Sequence, residues 1–379
     1  MTTEVSPKAG LEDVVAATSA ICYLDGERGV LAYCGHDIHD LATRATFEEV
    51  CYLLWHRRLP SRAELGDVSS ALAAARPLPE PILRLMRALP PSDGMDALRT
   101  LASALGHYDR DASDNSAQAN YRKAVRLTGQ IASLVATWGR LSAGGGPVQP
   151  DPALGHAANF LYMLTGERPS ALASRAFDIA LVLHADHELN ASTFAGRVAA
   201  ATLTDIHSAI VAAIGTLKGP LHGGANADVM RMLIELGENA PASRVEETIK
   251  AKLARKEKIP GFGHRVYRTE DPRATHLRRM SRELGERAGK ARWFEISQQI
   301  ETVVKAEKKL NANVDFYSAS TYYVLGIPID LFTPVFAVSR VSGWTAHILE
   351  QYANNRLIRP RTDYIGPKYP QTFVPLDQR

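Results

Sequence analysis

The sequence predicts an all-α protein. Apolar residues recur at i, i+3, i+4 and i+7 through most of the 379 residues, which is the spacing of one helix face. Gly, Pro, Ser, Thr and Asp punctuate these runs at short intervals, as caps and connectors do. In the first half of the chain only one stretch, Thr18 to Ile38, carries a convincing β signal, and no repeat or low-complexity tract breaks the pattern.

Residues 1 to about 15 read as disordered, being small, polar and Pro-containing. Ile21 to Tyr33 then reads as two short strands around the turn Asp25-Gly26. From Asp37 the period is helical, with Phe47, Val50, Cys51 and Leu54 on one face. Ser61 with Glu64 forms a capping-box signature. Pro77, Pro79, Pro81, Pro90 and Pro91 separate further short helices, and Ser92 or Asp93 caps one reaching Gly106. Ala117 to Ser142 predicts a long helix closed by Gly144-Gly145-Gly146-Pro147. Helices are expected over Asp151–Thr165, Ser170–His187 and Gly196–Leu217, then Asp228–Gly237, Val245–Lys258, Asp271–Ala288 and Ala291–Lys309. Phe316–Leu325 and Phe332–Asn354 complete the set, and an extended Pro- and Arg-rich tail follows Leu357.

The length suits one large domain with a smaller one attached. With 45% hydrophobic and 22% charged residues the chain reads as soluble and globular. No apolar run reaches about 18 residues, so no membrane helix is expected. Met1 to Gly10 lacks a signal-peptide pattern. Cys22, Cys34 and Cys51 form no CxxC, which fits a reducing cytoplasm and no metal site. The net charge of +3 is uninformative, but Lys250 to Leu310 holds 17 Lys and Arg against 8 Asp and Glu. That imbalance suggests a polyanionic ligand. A non-enzymatic binder of polyanions such as RNA is one reading of it.

Four stretches carry chemistry. Lys218-Gly219-Pro220-Leu221-His222-Gly223-Gly224-Ala225-Asn226 sets a histidine in a glycine-rich turn between helices. It reads either as a plain connector or as a ligand-facing turn beside a helix N-terminus. His184-Ala185-Asp186-His187-Glu188-Leu189-Asn190 puts two histidines three apart on one helix face. Gly261-Phe262-Gly263-His264-Arg265, followed by Asp271-Pro272-Arg273, offers donors for carboxylates or phosphates. In Asn311-Ala312-Asn313-Val314-Asp315 the aspartate sits where a loop becomes a helix, the ordinary place of an N-cap.

Taken in order, HADHELN, GPLHGGAN, PGFGHRVY with DPR, NVDFYS, VSR and RLIRPR resemble the citrate synthase family, in particular its shorter dimeric bacterial and archaeal form. The likeness runs from about Thr18 to Phe373. It implies a large helical domain, residues 1–220 and 327–379, and a smaller one, 221–326, that binds coenzyme A. It implies that Asp315 removes a methyl proton of acetyl-CoA, His222 stabilises the enolate, and His264 polarises the oxaloacetate carbonyl. His187, Arg273 and Arg340 would hold oxaloacetate, joined by Arg359 from the neighbouring subunit of a homodimer. Ile259, Gly261, Phe262 and Gly263 would lie against coenzyme A, with Lys256, Arg265 and Lys308 near its phosphates. No cofactor beyond the thioester substrate is implied. The motifs are shared with 2-methylcitrate synthases, which use propionyl-CoA. Cys34-Gly35-His36 and Asp93-Gly94 depart from the usual family pattern, outside the catalytic set. There is no room for the N-terminal extension of the hexameric, NADH-sensitive forms, so NADH inhibition is not expected.

The chemistry agrees with those roles. A thioester methyl group is a very weak carbon acid and a carboxylate is a weak base. Transfer therefore needs a donor placed where charge develops on the thioester oxygen. A dianionic second substrate calls for convergent arginines. Water must be kept from the thioester until condensation, which closing domains would achieve. Hinges are expected near Leu217–His222 and Leu325–Pro328.

Overall fold

A computed structural model describes residues 9–11 and 14–379. Much of the expected disordered N-terminus, residues 1–8 and 12–13, lies outside them. Strands β1 (Cys22–Asp25) and β2 (Val30–Tyr33) form the expected antiparallel pair, but in the register Asp25↔Val30, so Asp25 ends β1 and the turn spans four residues, 26–29. A two-residue strand β3 (His36–Asp37), not anticipated, pairs with β2 through the turn at Cys34 and Gly35, both at positive φ.

Helices α1 (Ile38–Arg44), α2 (Phe47–His56), α3 (Arg62–Ala75), α4 (Glu80–Ala88), α5 (Gly94–Leu105) and α6 (Ala117–Ser142) follow. Ser61 and Glu64 close the expected capping box, and Asp93 is the cap of α5. Such caps contribute about 1 kcal/mol each by satisfying N–H groups that the helix leaves free. Next come α7 (His156–Thr165), α8 (Ala171–His184), α9 (Ala191–Ala201) and α10 (Ile206–Leu217). The last six are α11 (Ala225–Leu236), α12 (Ala242–Ala254), α13 (Pro272–Arg287), α14 (Ala291–Lys308), α15 (Val314–Val324) and α16 (Phe332–Ala353).

Among the expected boundaries that shift, α11 begins at Ala225 and α12 runs Ala242–Ala254, with Lys256 at φ 60° beyond its end, and four others have visible local reasons. Asp151 turns its own chain, accepting from Ala153 N at 2.9 Å, so α7 begins only at His156. Helix α8 stops at His184, and the next turn is held by Asp186 accepting from Glu188 N at 3.2 Å. His184 and His187 therefore do not share a helix face. The expected run Gly196–Leu217 is two helices, broken where Leu203 takes φ 64° and Asp205 caps α10. Finally α15 begins at Val314, capped by Asn313.

The long apolar helix α16 is the hub of one body, packing on α2, α5, α6, α8, α9 and α10. Trp344 and Phe332 on α16 are fully buried there, and burying side chains of this size stabilises by roughly 2–3 kcal/mol apiece. Helices α11 to α15 pack chiefly on one another. They meet the first body where α13 lies on α1 and α8, α15 on α8, and α11 on α16. No helix among the described residues is long and apolar enough to cross a membrane.

Candidate active site

The seam between these two groups of helices holds a cavity of about 920 Å³. His187, His222, His264, Arg273, Asp315 and Arg340 all line it, although they come from five separate stretches of chain.

His222 is set by the connector between α10 and α11. Gly223 packs so tightly that a Cβ there would come within 2.1 Å of Leu217 O, so the turn needs glycine. The His222 ring reaches back to the first turn of α9, where Nε2 lies 2.8 Å from Ser192 Oγ and accepts from Ser192 N at 3.3 Å. A backbone N–H can only donate, so the ring proton is on Nδ1. Trp344 Nε1 donates to the same Ser192 hydroxyl at 3.1 Å. Burial, then the charge of Arg340, pushes the His222 pKa down to about 4. The ring is a neutral Nδ1–H donor at neutral pH. The sequence reading missed Ser192; its place as the second residue of α9, just after the Asn190 cap, is the signal that aims it at the site.

His264 is fixed in the same manner. Its Nδ1 accepts from Val266 N at 3.0 Å and Tyr267 N at 3.1 Å, which leaves the proton on Nε2. Burial, then Arg273, holds its pKa down at about 4. His187 packs against it with ring centroids 5.3 Å apart, and its Nε2 is 3.2 Å from Tyr267 Oη. Burial, followed by Arg273, His264 and Arg340, places the His187 pKa well below the usual histidine range.

Asn313, not Asp315, caps α15, accepting from Asp315 N at 3.0 Å. The expected cap role of Asp315 is thus filled by its neighbour, and its carboxylate accepts no hydrogen bond from the described residues. Burial raises its pKa to about 6 against the opposing pull of Arg273. It is an uncommitted base.

Arg273 is gripped by Asp271, Nε to Oδ1 at 2.9 Å and Nη2 to Oδ2 at 2.8 Å. Asp271 Oδ2 also accepts from Val314 N at 3.0 Å, so one buried carboxylate joins the arginine to the start of α15. Burial opposes the Asp271 charge, but Arg273 holds its pKa below the usual range. Arg340 donates from Nε to His184 O at 2.7 Å. Both arginines are almost fully buried, and their remaining donors have no acceptor among the described residues. Buried cations with free donors facing a cavity suit a small anion.

The expected coenzyme A residues are less concentrated. Arg265 lines the cavity; Ile259, Gly261, Phe262, Gly263, Lys256 and Lys308 do not. The 261–263 segment instead pairs with 311–313. Gly263 N donates to Asn311 O at 3.0 Å, Asn313 N to Gly261 O at 2.9 Å, and Phe262 bridges Ala312. Ile259 is buried, while Lys256, Arg265 and Lys308 are exposed. Arg359 is exposed at the base of the tail and lines a separate hollow of about 800 Å³, so it is not among the residues of its own chain's cavity.

The description "Citrate synthase, C-terminal domain" matches residues 10–361. The chain belongs to the citrate synthase family. It is 54% identical over 372 residues to citrate synthase 2 of Bacillus subtilis, covering 98% of each chain. It is 52% identical to the citrate synthase of Haloferax volcanii over 98% of this chain and 99% of that one. A 2-methylcitrate synthase of Shewanella oneidensis is 40% identical, over 98% of each. Among solved structures, the Pyrobaculum aerophilum citrate synthase superposes with a TM-score of 0.91 at 42% identity, covering 98% of this chain and 95% of that one. The Thermoplasma acidophilum citrate synthase, solved as a ternary complex with carboxymethyl coenzyme A and oxaloacetate, gives a TM-score of 0.90 at 32% identity, covering 98% of each. The all-α citrate synthase fold expected from the sequence is therefore the fold of this chain.

Proposed function

We propose that this chain condenses acetyl-CoA with oxaloacetate and hydrolyses the resulting citryl thioester to citrate and free coenzyme A. The observation that carries the reading is the convergence of three neutral or base-ready groups and two buried arginines on one cavity.

In this reading Asp315 takes a methyl proton from acetyl-CoA, and the electron pair moves onto the thioester oxygen. His222 Nδ1–H donates a hydrogen bond there as the charge forms. The enolate carbon attacks the oxaloacetate carbonyl carbon as the thioester C=O re-forms. The broken π pair moves onto the carbonyl oxygen, which His264 Nε2–H polarises. That oxygen takes up a proton, balancing the one Asp315 removed, to become the hydroxyl. Arg273, Arg340 and His187 hold the oxaloacetate carboxylates. Water then cleaves the thioester and releases the thiol. Arg265, Lys256 and Lys308, with the backbone of 259–263, form the side from which coenzyme A approaches. The residue pattern requires no further cofactor. A thiol-release assay with both substrates tests the reaction; no thiol release above the rate without oxaloacetate removes it.

Acetyl-CoA is the proposed thioester, supported by 54% and 52% identity to two citrate synthases against 40% and 43% to two 2-methylcitrate synthases. One methylene in a pocket is worth about 10- to 200-fold in kcat/KM. We expect acetyl-CoA to be favoured within that range, and a preference for propionyl-CoA overturns the assignment. The polyanion-binding alternative gives no reason for Asp315, His222 and His264 to line one cavity, and part of its basic run is taken up by ion pairs. Arg273 is tied to Asp271, Arg278 to Glu270 and Glu301, Lys305 to Glu301, Arg255 to Glu257, and Lys250 to Glu246.

The active unit is proposed to be a homodimer in the cytoplasm, divided within each subunit into a large domain, 1–220 and 327–379, and a small domain, 221–326. The unpaired cysteines support that compartment. The tail after Ala353 leaves Leu357, Tyr364, Ile365, Tyr369 and Phe373 exposed, a run of apolar side chains suited to wrapping a second copy. Arg359 then serves the neighbouring site. Mixing Asp315→Asn dimers with Arg359→Ala dimers and allowing exchange should restore about a quarter of wild-type activity, because half the dimers become mixed and each holds one intact site. Activity no higher than the sum of the two parents would place Arg359 in its own subunit's site.

A further inference from the structure

The β1–β2 turn takes no part in the chemistry above, yet it rests against the loop that carries His264. Asp25 Oδ1 accepts from Glu27 N at 3.1 Å and Arg28 N at 3.0 Å, which fixes the turn. Gly26 O accepts from Arg268 N at 2.9 Å. A Cβ on Gly26 would lie 2.2 Å from Val266 O and 2.8 Å from Val266 C. The obstacle is backbone, not a side chain that can swing away. Gly26 is not among the glycines at positive φ, so its backbone tolerates a side chain and the contact alone demands glycine. Gly29 repeats the close approach, with Thr269 Cγ2 2.7 Å from its would-be Cβ.

The loop from His264 to Glu270 is tied at both ends. Gly263 N bonds to Asn311 O, and Asp271 holds Arg273 and Val314 N. Its middle lies on the hairpin turn. That middle supplies the two N–H groups, of Val266 and Tyr267, that hold His264 Nδ1. Displacing Val266 would move one of the two donors that set the ring's tautomer and aim.

We propose that the Asp25–Gly29 turn is a positioning element for His264, with Gly26 setting the spacing. Gly26 borders the same cavity but has no side chain to offer it; it acts through Val266. The inference rests on the proposed reaction, in which His264 Nε2–H polarises the oxaloacetate carbonyl.

The test is Gly26→Ala in the full-length protein, with Arg28→Ala as a change in the same turn on an exposed side chain. Misplacing a catalytic group by about 1 Å costs on the order of 10²-fold in rate. Gly26→Ala should lose kcat on that scale while the KM for acetyl-CoA stays within about threefold. The infrared carbonyl stretch of 13C-labelled oxaloacetate bound to Gly26→Ala should move toward its value in solution. Arg28→Ala should match wild type in all three. A kcat for Gly26→Ala within twofold of wild type, or a lost kcat with an unmoved carbonyl stretch, overturns the proposal. Wild-type thiol release is measured alongside, and its absence sinks the reaction itself. If Gly26→Ala does not fold, amide hydrogen exchange on the wild type with oxaloacetate decides. Segments 24–30 and 264–270 should gain protection together, and protection of the first alone overturns the proposal.

Discussion

Asp315→Asn is expected to lower kcat by about 10²- to 10⁴-fold, the usual contribution of a placed general base, and to make the folded protein harder to unfold at neutral pH. The two effects share one cause. Burial lifts the Asp315 pKa from 3.8 to about 6. Between those values the folded chain keeps a proton that the unfolded chain has released, so stability falls as pH rises through that window. Above about pH 6 the folded chain carries the whole cost of the buried charge, on the order of 1–3 kcal/mol. Asparagine removes that charge. Urea midpoints of variant and wild type should differ at pH 7.5 and converge below about pH 4. The wild-type kcat/KM should also fall on the acid side with an apparent pKa near 6 as the base is protonated. Near-normal turnover in Asp315→Asn removes the mechanism; equal midpoints at pH 7.5 would mean that Arg273 fully offsets the burial.

His222→Ala should cost about 10²- to 10³-fold in kcat, the scale for deleting one donor to a developing oxyanion. The oxaloacetate KM should change little, since the lost contact forms mainly in the transition state. Its pH signature is opposite in sign to that of Asp315. Burial depresses the His222 pKa to about 4 from 6.5, so the unfolded chain binds a proton that the folded chain refuses. This contribution is present above about pH 6.5 and is lost as pH falls toward 4. His222→Ala should therefore flatten that part of the acid unfolding profile, measured by urea titration at several pH values. An unchanged kcat would assign the oxyanion contact elsewhere.

Much of this molecule is legible in its residues because helix ends are local events. Ser61 with Glu64, Asp93 and the Ala117–Ser142 run end or begin helices where side-chain chemistry dictates. The candidate site was legible as motifs, and His187, His222, His264, Arg273, Asp315 and Arg340 do meet. What was hidden depends on partners distant in the chain or on unmarked backbone. Leu203 adopts a left-handed conformation without glycine, so only the Asp205 cap marks the break before α10. Ser192 gains its place from a ring 30 residues away. Asn313 and Asp315 compete for one cap, and single-residue propensity does not decide between them. The coenzyme A side chains are surface lysines and arginines, whose spacing carries little geometric information.

The pairing of 261–263 with 311–313 has a consequence for timing. It staples His264 to Asp315, and Asp271 adds Arg273 to the same block. His187 and Arg340 stand on the opposite wall, and His222, at the very start of the proposed small domain, is moored to that wall through Ser192. Each wall holds half of the proposed reaction: one has the base without the enolate donor, the other the donor without the base. Parting the walls would switch off both halves at once, so a thioester arriving before oxaloacetate would meet an incomplete circuit.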